Sequence, residues 1–357
     1  MDKTTRRILN TGAIILLGLF LWFAGAYLDD YKIQILNLIA VNIILAVSLN
    51  LIYGFTGMFS LGHAGFMAIG AYTCSILILS PEQKEMLFIL QEAYGWVRSA
   101  RAPFFLAVLA GGLAAVATAV LVGIPLLRLG DDYLGIATLG FAEIIRVLAN
   151  NLPRLTNGAL GFKGIPNHAN LWWNFGWCLI ALLVVIRIIN SNFGHVLKAV
   201  RDDETAARAM GIDVFRTKLF SFSLGAFFAG IGGALLASLL TTIDPKMFLF
   251  ILTFNILMIV VTGGLGSISG TVVAGIGITF LLEWLRFVEN PIRIGAIQID
   301  GIPGMRMVVF SLILLFVILY RREGIMGMRE LTWQSIVDVF AKKPQNAKTA
   351  PFPGKSS

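Results

Sequence analysis

About ten stretches of this chain are near 20 residues long and mostly apolar, and they decide what it can fold into. They run over 8–27, 33–53, 63–80, 103–127, 133–152, 171–189, 218–240, 248–263, 269–288 and 304–320. A helix of that length crosses the hydrocarbon core of a bilayer. So much apolar surface cannot hide in one globular core. Of 357 residues, 57% are hydrophobic and only 13% charged, against about a quarter charged in a soluble domain. That balance excludes an ordinary cytosolic enzyme, a nucleic-acid-binding domain and a disordered chain. The sequence predicts an all-α, polytopic transmembrane protein of about ten spans. The net charge of +8 then reads as Lys and Arg on cytoplasmic loops, with no nucleic-acid partner.

The first stretch follows Lys3, Arg6 and Arg7, as a signal peptide would. It is too long for one, and Asp29 and Asp30 stand where a small-residue cleavage site belongs, so a retained helix is expected. With the N-terminus inside and the spans alternating, most Lys and Arg fall on the cytoplasmic side, including Lys198, Arg201, Arg208, Arg216, Lys218, Arg321 and Arg322. Both termini are therefore expected in the cytoplasm. The transmembrane body is expected over 1–322 and a cytoplasmic tail over 323–357, ending in a polar, proline-containing segment expected to be disordered. Leu331, Ile336, Val339 and Phe340 could place a short helix on the membrane surface.

Two glycine-rich interruptions stand out. The first, 54–70, reads GFTGMFSLGHAGFMAIG and contains Gly54, Thr56, Gly57, Ser60, Gly62 and His63. The second, 263–270, reads GGLGSISG and contains Gly263, Gly264, Gly266 and Gly270. Unwound backbone survives in a membrane only where protein or a watery cavity satisfies it, and transporters build pathways from helices broken in this way. Close helix packing is the other use of such glycines. Each interruption follows an apolar run opened by an asparagine, Asn42 and Asn255. That parallel hints at two halves contributing one break each to a pathway.

Glu143 and Arg146 lie three residues apart inside a span, on one helix face. An intramembrane ionisable pair marks either a pathway or an ion pair against a neighbouring helix. Glu283 and Arg286 repeat the spacing near a span end, within reach of interfacial water. Ser221, Gly225, Ala229, Gly233 and Ala237 recur every four residues, a ridge for close helix packing. The three histidines form no metal-ligand spacing, Cys74 and Cys178 no disulfide framework, and there is no GxSxG elbow. The ending PGKSS imitates a phosphate-binding loop, but Thr349 stands where the first glycine is required. No enzyme activity, no metal and no cofactor bound by this chain is expected.

The segment at about 190–218 is the longest charged loop. Asp202, Asp203 and Glu204 precede ETAARAM, which stops at Gly211. Acids at the start and glycine at the end predict a short capped helix, suited to plug a groove on a soluble partner. An amphipathic connector at the headgroups is the alternative.

Four blocks together carry a resemblance: NLIYGFTGMFSLGHAGFMAIGAY at 50–72, DDYLGIATLGFAEIIRVLANN followed by LTNGALGFKGIP, AVRDDETAARAMGIDVFRTKLFSFSLGAFFAGIGGAL at 199–235, and GGLGSISGTVVAG at 263–275. The chain resembles the LivM-type permease subunit of branched-chain amino-acid ABC importers. Asp203, Glu204, Ala206, Ala207 and Gly211 fall in a segment that resembles the motif by which importer permeases dock on their ATPase. The resemblance implies the ABC importer permease fold in a bacterial or archaeal cytoplasmic membrane. It implies a homologous second permease, two ATPase subunits carrying the ATP and Mg, and an extracytoplasmic substrate-binding protein. Leu, Ile and Val are the implied substrates, with urea, short amides and other small carboxylates as alternatives. A stand-alone channel or gradient-driven secondary transporter is the rival class; it would have no need of a docking helix.

Overall fold

The computed structural model describes residues 3–88, 91–128, 131–286, 292–294, 297–299, 304–321, 324–327 and 330. In chain order the helices are α1 Lys3–Tyr27, α2 Asp30–Asn50, α3 His63–Ile78, α4 Pro81–Leu87, α5 Gly95–Ser99, α6 Phe104–Leu126, α7 Asp131–Asn151, α8 Pro153–Thr156, α9 Leu171–Ile189, α10 Asn192–Asp202, α11 Glu204–Ala209, α12 Val214–Leu240, α13 Phe250–Gly263, α14 Ile268–Trp284 and α15 Met305–Tyr320. Residues 30–55, 104–126, 133–151, 171–189 and 214–240 are long and apolar enough to span a bilayer. The bent pair α3–α4 makes a sixth if counted as one. The chain is thus an all-α, multi-pass membrane protein. The expected tail helix and disordered terminus at 331–357 lie outside the described residues.

At the centre α12 packs against α2, α3 and α6, and α3 packs against α6. Lipid tails are as apolar as leucine, so close backbone approach and polar rungs replace the hydrophobic drive of a soluble core. The crossing of α3, α6 and α12 is built from Gly70, Gly111 and Gly230. A Cβ on Gly111 would stand 2.8 Å from the Gly70 carbonyl oxygen, and one on Gly230 would stand 2.8 Å from that of Gly111. The ridge from Ser221 to Ala237 along α12 is buried throughout. Its Gly225 faces Ser48 of α2 and Ile52 of the turn that follows it, and its Gly233 faces Met67 of α3.

Helix α14 runs antiparallel along α2, joined by three polar rungs. Tyr31 Oη donates to Glu283 at 2.6 Å, Asn42 Nδ2 to Thr279 Oγ1 at 2.9 Å, and Asn50 Nδ2 to Thr271 Oγ1 at 2.8 Å. Arg286 also donates to Glu283 at 2.7 Å.

Two features depart from the sequence reading. Strands β1 Phe162–Lys163 and β2 Thr242–Ile243 form one antiparallel pair, and β3 Ile292–Ile294 and β4 Ile297–Ile299 another. Alternating isoleucines at 292, 294, 297 and 299 are the period-two signal of the second pair. The charged 190–218 segment holds two helices, because Gly194, Leu197 and Val200 give α10 a buried face. Helix α4 opens with a capping box at Ser80, and its Lys84, 1% exposed, ties it to the α5 segment by donating to the carbonyls of Val97 and Ala100 at 2.8 and 2.5 Å.

Candidate functional site

The two interruptions meet each other. Helix α2 ends in a π-helical turn, Leu51–Phe55, and the chain stays out of helix until His63. Helix α13 ends at Gly263, and α14 begins at Ile268 under a Ser267 cap. A Cβ on Gly54 would overlap the Asn50 side-chain oxygen and the Gly266 backbone nitrogen, so only glycine permits the contact. Asn50, 1% exposed, joins the segments with both of its donors and its acceptor oxygen. It donates to Ser267 O at 3.0 Å and Thr271 Oγ1 at 2.8 Å, and accepts from Gly266 N at 3.0 Å.

A third element reaches the same point. Arg201, at the end of α10, donates from Nη1 to Gly54 O at 3.1 Å. Gly57, at φ +83°, packs on the Arg201 Cα and side-chain stem. A Cβ on Gly266 would stand 3.1 Å from Arg201 Nη1. Gly54, Gly57 and Gly266 therefore form one junction.

Thr56 lies beside that junction, its Oγ1 2.7 Å from Ser221 Oγ, with both hydroxyls bonded to Leu51 O. Ser60 and Gly62 are buried farther along the extended segment, where Leu61 N donates to Thr138 Oγ1 of α7 at 3.0 Å. His63 is buried, its Nε2 2.8 Å from Ser48 Oγ. Ser48 already donates to Leu45 O, so its hydroxyl accepts from Nε2–H. His63 Nδ1 has no hydrogen-bond partner among the described residues.

At the second interruption Gly263 and Gly270 touch backbone to backbone, and Gly264, at φ +112°, meets the backbone of Gly327. The segment after α15 crosses this break. Ile325 N donates to Thr262 O at 2.7 Å, and Glu330 accepts from Ile268 N at 2.6 Å and Ser269 N at 3.1 Å. A carboxylate there satisfies two of the open donors at the α14 N-terminus and complements its dipole.

Glu143 and Arg146 stand apart from the junction. They pair with each other, Arg146 Nε lying 3.0 and 2.9 Å from the two carboxylate oxygens. Their side chains are 51% and 26% exposed. Ile136, Ile144, Val147 and Leu148 are exposed on the same helix.

Helix α11 projects beside the junction. Asp203 caps it, accepting from Thr205 N at 2.8 Å and Ala206 N at 3.0 Å. Glu204 turns back to pair with Lys218 of α12 and with Arg208. Ala207 is buried with Val200 and Val214. Ala206 and Gly211 lie on the exposed side with Met210, which is 82% exposed. Gly211 sits at φ +82° in open space, so the turn, not crowding, calls for glycine. No group of three or more His, Cys, Asp or Glu able to hold a metal occurs among the described residues.

Sequence reasoning did not single out Asn50, Arg201, Thr271 or Glu330. The legible signal was Asn50, a polar residue one helical turn before Gly54; Arg201 was counted only as a loop charge.

The model of the family described as branched-chain amino acid transport system / permease component matches residues 31–318. The high-affinity branched-chain amino acid transport system permease protein LivM of Escherichia coli is 33% identical over 288 residues, covering 71% of this chain and 63% of the relative. The chain thus spans just under two thirds of that relative's length. The permease protein LivH of the same E. coli transport system is 24% identical over 65% of this chain and 78% of its own length. The L-arabinose transport system permease protein AraH of E. coli is 33% identical over 41% of this chain and 43% of its own. No solved structure gives a significant match. Interrupted apolar helices packed through glycine in a multi-pass fold, together with a match from residue 31 to 318, place the chain in the branched-chain amino acid transport permease family.

Proposed function

We propose that this chain is a permease subunit of an ATP-driven importer and forms half of the membrane pathway for branched-chain amino acids. The observation that carries the reading is the position of α11: a capped, projecting helix attached to α10, whose last turn touches both interrupted segments. A stand-alone channel or gradient-driven carrier has no use for that arrangement. The relatives LivM and LivH are named as permease proteins of one E. coli system, which supports a homologous second permease beside this chain. Two ATPase subunits, holding ATP and Mg, would dock on α11, and an extracytoplasmic binding protein would deliver cargo at the opposite end. The chain itself binds no cofactor in this reading.

In this account Asp203 and Glu204 fix α11, Ala206 and Gly211 belong to its docking side, and Ala207 packs it to the bundle. Gly54, Gly57 and Gly266 form a movable junction, with Gly263, Gly264 and Gly270 holding the second break. Thr56, Ser60, Gly62 and His63 follow the extended segment beside α7. Glu143 and Arg146 belong to the face of α7 turned toward the partner permease and the pathway. All ten apolar stretches cross the inner membrane, and both termini are cytoplasmic.

Purification from the native membrane in mild detergent, with mass spectrometry of what co-elutes, tests the assembly. A second permease and an ATPase pair are expected. A polypeptide that stays alone across several gentle detergents contradicts the reading and favours a channel or gradient-driven carrier. The match to an arabinose-system permease makes a mixed uptake panel of Leu, Ile, Val, urea, short amides and L-arabinose the proper test of substrate.

A further inference from the structure

We propose that Arg201 is the positioning residue through which movement of α11 reaches both interrupted helices at once. This inference rests on the importer reading and names the residue that does its mechanical work. Three observations converge on the side chain.

First, its guanidinium is divided between two directions. Nε and Nη2 lie 3.0 and 2.8 Å from Asp202 Oδ1, while Nη1 donates to Gly54 O at 3.1 Å. Asp202 is followed by Asp203, which caps α11. One fork of the guanidinium is therefore held by the last residue of α10, next to the residue that caps α11, and the other holds the end of α2. Arginine's rigid, planar donor set allows this; a lysine ammonium is a point charge on a flexible stem.

Second, the Gly54 carbonyl lies at the C-terminal end of a helix that runs unbroken from Asp30 to Phe55. Helix-end carbonyls lack intrahelical donors and carry the negative end of the helix dipole. The bonds that close this turn go to other carbonyls, Gly57 N to Tyr53 O and Met58 N to Ile52 O. Arg201 brings a cation to that end.

Third, the second break is built around the same group. A Cβ at Gly266 would come within 3.1 Å of Nη1, and Gly57 lies on the arginine's stem. Asn50 ties Gly266 to α2 from the other side. A displacement of α10 and α11 must carry the guanidinium with it, and the junction of Gly54 and Gly266 must follow or lose its cation. The side chain is about one-fifth exposed, so water does not readily replace the lost bond.

The test uses the intact transporter with its co-purified subunits in proteoliposomes, measuring substrate uptake and ATP hydrolysis together. R201Q is expected to hydrolyse ATP near the wild-type rate while uptake per ATP falls about tenfold or more; R201K should fall between the two. Hydrogen exchange at 51–57 and 264–270 should change with Mg-ATP in the wild type and not in R201Q. Wild-type uptake per ATP in R201Q overturns the proposal. If R201Q does not assemble, R201K decides: a several-fold loss supports the proposal and an unchanged ratio overturns it. A wild-type complex that transports without ATP overturns the importer reading itself, and that failure is visible before any variant is made.

Discussion

The side-chain oxygen of Asn50 accepts a hydrogen bond from the backbone N–H of Gly266 at 3.0 Å, joining two helix ends that are 216 residues apart in sequence. The same carboxamide donates to Ser267 O and Thr271 Oγ1. The two interrupted segments are thus one structural unit.

Asn50→Leu keeps the branched shape of the side chain but removes one acceptor and two donors. Each buried group left without a partner costs about 1–3 kcal/mol. The purified chain should lose thermal stability in detergent by at least that amount, with hydrogen exchange rising at 264–271. An unchanged melting temperature would mean the two breaks are independent.

Glu143→Ala removes one half of a pair whose side chains are 51% and 26% exposed. The isolated subunit should lose less than about 1 kcal/mol, as for other exposed pairs, and express normally. Substrate uptake by the assembled transporter should fall. Poor folding of the isolated subunit would restore a structural role within this chain.

Gly211→Val and Gly211→Asn separate backbone strain from bulk. At φ +82° a residue with a Cβ costs about 1–2 kcal/mol, while Asn visits this region more readily. The valine variant should reach the membrane but uncouple ATP hydrolysis from uptake, and the asparagine variant should retain most coupling. Equal, undiminished uptake by both would remove Gly211 from the docking segment.

Glu330→Ala strips the carboxylate from the first turn of α14, where it accepts from Ile268 N and Ser269 N. The loss should cost about 0.5–2 kcal/mol, the range for a helix cap and a dipole contact. Differential scanning of the purified chain reads the shift, and Glu330→Gln, which keeps an acceptor, should recover part of it.

The membrane class and the apolar stretches were legible because span length and hydropathy are local properties of the chain. The capped α11 was legible for the same reason: Asp203, ETAARA and Gly211 are contiguous. The two glycine-rich segments could be picked out one by one, yet nothing local said that Gly54 would touch Gly266. That contact depends on how α2, α13 and α14 pack, and polar rungs such as Asn42 to Thr279 are set by three-dimensional register. Arg201 carries an ordinary cytoplasmic-loop charge in sequence, and only the fold brings it under Gly54. The carboxylate of Glu330 lies 62 residues from its partner Ile268 and has no sequence signature as a cap. The β3–β4 pair carries alternating isoleucines, but its strands are only three residues each, too short for that period to stand out from a loop.

The central claim is that this chain moves substrate at the expense of ATP hydrolysed by subunits docked on α11. The most direct measurement is uptake of radiolabelled leucine into proteoliposomes holding the purified transporter, binding protein and Mg-ATP. The account predicts uptake that requires hydrolysable ATP and vanishes when the ATPase subunits are left out. Leucine uptake that proceeds by this chain alone, with or without an ion gradient, would contradict it.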